Sequence, residues 1–224
     1  MKKICPIGSI FVKGHHKTID NREHYWKAHC RKVKIRKDIL NSDEIQEIYR
    51  VNKEQKLTLP KAYSFGAKNG LKYDSLISFW VEYWNRVFNV KTNITVGLVK
   101  TLMMSESTFG KKATAKTHNR PGSAIGLLQI TDYTLKLIQL NSKELTNHRF
   151  KITRDDLFNP TVNVAVAIRW LYRKRQIAKY YLKKEPSALQ LAEEYKGIRN
   201  DKSLKANKQR TSFKKLWKEY KNAK

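Results

Sequence analysis

The sequence predicts a mainly α-helical protein with a small β-hairpin at its N-terminal end. Three observations carry that expectation. From residue 74 onward apolar residues recur at helical spacing, in several separate stripes. Residues 9–31 instead alternate in the strand manner around a polar tip at residues 18–22, whose Asp20-Asn21 has turn chemistry. The 224 residues contain five Trp, eleven Tyr and eight Phe, enough to fill a core and too many for a disordered chain.

Taken in order, Ile10 and Val12 belong to the first arm of the hairpin and Tyr25 and Trp26 to the second. Residues 31–38 are basic and poor in apolar groups, and Ser42-Asp43-Glu44 then reads as an N-cap opening a short helix through Tyr49. Pro60, Gly66 and Gly70 punctuate a loop. Asp74 is expected to cap a helix carrying Leu76, Phe79, Trp80, Tyr83, Trp84, Val87 and Phe88. Thr95 opens the next, which ends at Ser105-Glu106-Ser107. Pro160 starts a long helix through Trp170 and Tyr172, which Asp155 and Asp156 are expected to cap. Ser187 caps another, and Phe213, Leu216, Trp217 and Tyr220 form a last helical stripe. The Trp and Tyr residues on these stripes read as core. The expected division is a basic, His-rich hairpin extension over 1–38, a helix and linker over 39–72, and one helical domain over 73–224.

Charge narrows the partners. The formal net charge is +28 and the pI about 10.1, which calls for a polyanion: nucleic acid, a membrane surface or bacterial wall polymer. The basic residues are spread along the chain, without a recognisable nucleic-acid-reading module, so nucleic acid is the weaker alternative. No stretch reaches the roughly 18 apolar residues of a spanning helix. The basic start, residues 1–12, has a short apolar run interrupted by Pro6 and Gly8 and no small-x-small site. It reads as part of the folded protein, so synthesis in the cytoplasm is expected. His15, His16, His24 and His29 lie near Cys5 and Cys30, but their spacing matches no standard zinc site. No metal and no cofactor are expected.

Glu106 is the candidate for chemistry. On position alone it is a solvated carboxylate at a helix end, where the macrodipole disfavours negative charge. The apolar side of that helix (Val99, Leu102, Met103) is expected to press low-dielectric material against the carboxyl, an environment suited to a general acid. Its context is more specific. Glu106-Ser107-Thr108-Phe109 is followed by Ser123-Ala124-Ile125-Gly126-Leu127-Leu128-Gln129, then Leu157-Phe158-Asn159-Pro160-Thr161-Val162-Asn163, then Glu194-Tyr195-Lys196-Gly197.

These blocks, in this order, resemble the soluble lytic transglycosylases over about residues 95–198. The family pattern is E-S-x-F, S-x-x-G-L-x-Q, L-x-x-P-x-x-N and a Y-N-G-like block. The resemblance implies a lysozyme-like catalytic domain acting on peptidoglycan glycan strands. Glu106 matches the family's catalytic acid/base, and Ser107 and Phe109 match residues shaping the cleft beside it. Ser123 matches a serine that contacts the sugar, and Gln129 sits in the sugar-binding turn that Gly126 permits, all three being substrate-site candidates. Tyr195 matches a tyrosine reaching the catalytic glutamate, and Asn163 an asparagine that holds the fold together. Tyr133, beside the G-L-L-Q block, joins the substrate-facing candidates. One position departs: where the family often has Asn after the tyrosine, this chain has Lys196.

The implied reaction cleaves the β-1,4 bond between N-acetylmuramic acid and N-acetylglucosamine to a 1,6-anhydro product. Between Ser107 and Thr131 there is no Asp or Glu, which fits a one-carboxylate mechanism better than a two-carboxylate hydrolysis. A hydrolytic muramidase of the same fold is the alternative. The expected partners are glycan strands, anionic envelope polymers and a delivery apparatus docking on the hairpin. The expected site of action is the cell wall, reached as a phage lytic or virion-associated enzyme or as a secretion-system effector.

Overall fold

The architecture comes from a computed structural model describing residues 9–12, 14–19, 22–32, 39–53, 57–89, 94–110, 124–139, 144–145 and 147–223. The N-terminal hairpin is present as two antiparallel ladders. Strand β2 (His15–Ile19) pairs with β3 (Arg22–Trp26), and β1 (Ser9–Val12) pairs with β4 (His29–Lys32) below them. The tip residues Asp20 and Asn21 lie outside the described residues, as do the side chains of His15, His16 and His24. Cys30 is disulfide-bonded; Cys5 lies outside the described residues.

Strand β5 (Ile39–Asn41) leads directly into α1 (Ser42–Asn52). The cap is Asn41 rather than the expected Ser42. Asn41 Oδ1 accepts the Glu44 amide at 2.8 Å, and Glu44 Oε2 accepts the Asn41 amide at 3.0 Å. A capping box needs its acid three residues after the cap, and Glu44 stands at that distance from Asn41. The helix expected here is present and packs into the body of the protein. Leu40, Ile45 and Ile48 are fully buried in the common core, and β5 pairs in parallel with β6 (Arg149–Lys151).

Helix α2 (Asp74–Phe88) supplies the aromatic centre, with Phe79, Trp80, Tyr83 and Trp84 all fully buried. Asp74 is its first residue and makes no cap. Its carboxylate instead receives the fully buried Lys100 Nζ at 2.8 Å, and Lys100 also donates to the Lys61 carbonyl at 3.0 Å. Burial raises the Asp74 carboxyl above its ordinary value, and Lys100 opposes that shift. Lys100→Met is expected to cost about 3 kcal/mol, because it leaves a half-buried carboxylate without its cation. A folded-state pKa above the unfolded one stabilises at low pH, and that contribution is lost as pH rises through the folded value. The variant's deficit, read by denaturant titration, should therefore be larger at neutral pH than below the carboxylate range.

Helix α3 (Val96–Ser107) is capped as expected, with Thr95 Oγ1 accepting the Leu98 amide at 3.2 Å. A short α4 (Asp132–Ile138) and a 3-10 turn (Asp155–Phe158) follow. The long central helix α5 (Pro160–Leu182) is buried from Val162 to Tyr172 and packs on α1, α2 and α6 (Ala188–Tyr195). Its cap is Asn159, whose Oδ1 takes the Thr161 amide at 2.9 Å. The expected caps Asp155 and Asp156 sit in the 3-10 turn, where Asp156 takes the Thr153 amide at 2.7 Å. Asn159 wins because Pro160 fixes the first helical residue immediately after it. The Trp84 indole donates to the Ala165 carbonyl at 2.9 Å, fastening α2 to α5. Helix α7 (Leu204–Asn222) closes the fold against α3, burying Phe213 and Tyr220.

Candidate active site

Glu106 is the penultimate residue of α3, at the point where the helix unwinds. Thr108, Phe109 and Gly110 all adopt left-handed backbone, with φ of 52°, 53° and 90°. The Thr108 amide still bonds the Met104 carbonyl at 3.0 Å, so the helix terminates in a tight cap. Ser107 holds this end: its Oγ donates to the Leu127 carbonyl at 2.7 Å and accepts the Gly110 amide at 3.0 Å.

The opposite wall is the turn at residues 125–130, closed by mutual backbone bonds between Ile125 and Ile130 of 2.9 and 3.0 Å. Gly126 (φ 75°) and Gln129 (φ 49°) bend it. Three helices pin the turn. From α3 comes Ser107. From α5 comes the fully buried Asn163, donating from Nδ2 to the carbonyls of Ile125 and Leu157 at 3.0 and 3.1 Å and accepting the Leu128 amide at 2.9 Å. From α6 comes Tyr195, whose hydroxyl donates to the Leu128 carbonyl at 2.7 Å. Burial, with the nearby Glu106 carboxylate adding to it, pushes the Tyr195 phenol well above its ordinary value, so it stays a neutral donor.

Between these walls lies a cleft of about 190 Å³ that brings together Glu106, Gln129 and Tyr195. The Gln129 amide folds back to the Gly126 carbonyl at 2.7 Å. Lys196, immediately after α6, places its Nζ 2.5 Å from Glu106 Oε1, with the two side chains only 9% and 17% exposed. Glu106 is the only carboxylate among the described residues lining the cleft. Neighbouring acids are taken up elsewhere: Asp132 by Arg154, Glu193 by Arg210, and Glu194 by Lys174 and Arg199.

A comparison with protein families matches residues 84–215, more than half of the chain, to the transglycosylase SLT domain. The chain belongs to that family. The match runs from within α2 to within α7 and so contains the whole cleft. Membership makes this a peptidoglycan-acting protein of the lytic transglycosylase type, with a lysozyme-like catalytic domain. No curated protein and no solved structure matched the chain.

Within the SLT domain some expected substrate contacts are relocated. Ser107 and Phe109 are fully buried and shape the cleft from behind, because the turn past Glu106 rotates them into the core. Val99, Leu102 and Met103 are likewise core residues, and what meets the Glu106 carboxyl is Lys196 rather than apolar surface. Gly126 serves the turn and is not a lining residue. Tyr133 is 72% exposed on α4 and stands outside the cleft lining, whereas Thr131 and Thr134 flank it and take part. Ser123 lies outside the described residues. Sequence reasoning missed Gln209, which enters the lining from α7, and took Trp170 for core alone. That indole is 3% exposed, and its remaining surface lines the cleft. Gln209 belongs to none of the four sequence blocks, so only the packing of α7 reveals it.

Among the described residues no cluster of His, Cys, Asp or Glu is suited to a metal ion, and no helix is long and apolar enough to cross a membrane.

Proposed function

We propose that the protein is a lytic transglycosylase cutting the β-1,4 bond between N-acetylmuramic acid and N-acetylglucosamine, with Glu106 as its sole acid/base. The protonated Glu106 carboxyl donates to the glycosidic oxygen as the bond from the muramoyl C1 breaks, freeing the 4-hydroxyl of the N-acetylglucosamine. The carboxylate left behind then removes the proton of the muramoyl 6-hydroxyl, whose oxygen closes onto C1. Glu106 ends the cycle protonated again, and no water is consumed. The observation that carries this reading is the cleft lining, in which Glu106 has no second carboxylate among the described residues to activate water or trap a glycosyl group.

The neutral polar side chains Gln129, Thr131 and Tyr195 around it suit an uncharged acetamido sugar. The net charge of +28 suits the anionic envelope on which such a substrate lies. Mass spectrometry of muropeptides released from purified sacculi tests the reaction type. Ends lighter by one water than the hydrolysis product, lacking a reducing group, are expected. Reducing muramic acid ends would make the protein a muramidase.

A further inference from the structure

Lys196 stands in the cleft where the family pattern often has a neutral asparagine, and its ammonium rests 2.5 Å from the group that must carry the reacting proton. The two are the only charged side chains among the described lining residues, so their charges balance within the cleft. Chemistry upsets that balance. Whenever Glu106 holds a proton it is neutral, and the ammonium of a side chain 9% exposed loses its counter-ion. An unpaired buried charge is costly.

Among the described residues no replacement stands nearby. Glu193, Glu194 and Asp132 are each engaged by other cations. The stretch 111–123, which precedes the lining residue Ala124, contains no Asp or Glu. The backbone of Lys196 is fixed, because its amide bonds the carbonyls of Ala192 and Glu194 at the end of α6. Only the long, flexible side chain is free to change partner.

We propose that Lys196 is a specificity residue that passes from Glu106 to a carboxylate of the bound glycan beside the cut bond. The enzyme then prefers strands carrying such a carboxylate, and the resting ion pair is released when substrate supplies it. This rests on Glu106 being the acid/base. The carboxylate has two possible sources on a peptidoglycan strand: the lactyl group of a muramic acid freed of its peptide, or the stem peptide itself.

The test uses four substrates: peptide-bearing strands, strands stripped by an amidase, and each of these with its carboxylates converted to amides by carbodiimide coupling. Wild-type kcat/KM is expected to fall about tenfold or more on amidation, a loss consistent with a close charge pair. The strand type showing the larger fall identifies the source. For Lys196→Asn the two forms of each strand should be cut within about twofold of one another, a ratio unaffected by overall loss of activity. Wild-type cleavage indifferent to amidation overturns the proposal, as does a Lys196→Asn variant that keeps the wild-type ratio. A folded wild type that cuts none of the four overturns the proposed function instead, and this inference with it.

Discussion

Gly126→Ala is expected to destabilise the protein by about 5 kcal/mol and to take the cleft with it. Two effects add. The backbone at residue 126 has φ of 75°, a conformation that costs a residue with a Cβ about 1–2 kcal/mol. The new methyl would also stand 2.1 Å from Asn163 Nδ2 and 2.8 Å from the Leu157 carbonyl oxygen, closer than real contacts permit. The side chain that must yield is the one whose bonds to Ile125 and Leu128 hold the turn to α5 and whose third bond reaches the Leu157 carbonyl. Each buried polar group left unmet costs roughly 1–3 kcal/mol. Against a typical domain stability of about 5–15 kcal/mol, the variant should melt far below the wild type or fail to fold. Thermal unfolding followed by circular dichroism checks this. A variant with a wild-type melting temperature would mean that Asn163 does not brace the turn.

The same turn explains why the site was partly legible in the sequence. Glu106, Gly126, Gln129, Asn163 and Tyr195 occupy four blocks whose order and spacing are specific, and the structure assembles these blocks around one turn. Helices carrying long apolar stripes were equally readable, because burial of α2 and α5 demands that periodicity. Caps were harder. Ser42 and Asn41 are both good capping residues, and the choice depends on where Glu44 falls. The short α4 and the β5–β6 pair carry little local signal. Ile39 and Arg149 become neighbours only through tertiary packing.

Ser107 and Phe109 shape the cleft from within the core, which their proximity to Glu106 in sequence does not reveal. One residue beyond Glu106 lies about 100° around the helix, which turns Ser107 to the core. The converse holds for Lys196. It was visible only as a departure from a pattern, and its contact with Glu106 spans 90 positions, created by the way the end of α6 packs beside the end of α3.

The substitution Glu106→Gln is expected to lower the release of soluble muropeptides by about 10³-fold, within the range attributed to a positioned acid/base. The amide keeps the shape of the carboxyl but has no proton to donate at the glycosidic oxygen and no anionic oxygen to accept one from the 6-hydroxyl. No other carboxylate among the described lining residues stands ready to replace it. The position is 17% exposed at a helix end and the glutamine carbonyl still accepts from the Lys196 ammonium, so the variant should fold. Its circular dichroism spectrum and melting curve, measured alongside, separate lost chemistry from lost structure. Muropeptide release from purified sacculi by matched, folded wild-type and Glu106→Gln proteins is thus the most direct measurement. Activity confined to the wild type is the expected result, and equal release by both would place the chemistry on some other residue.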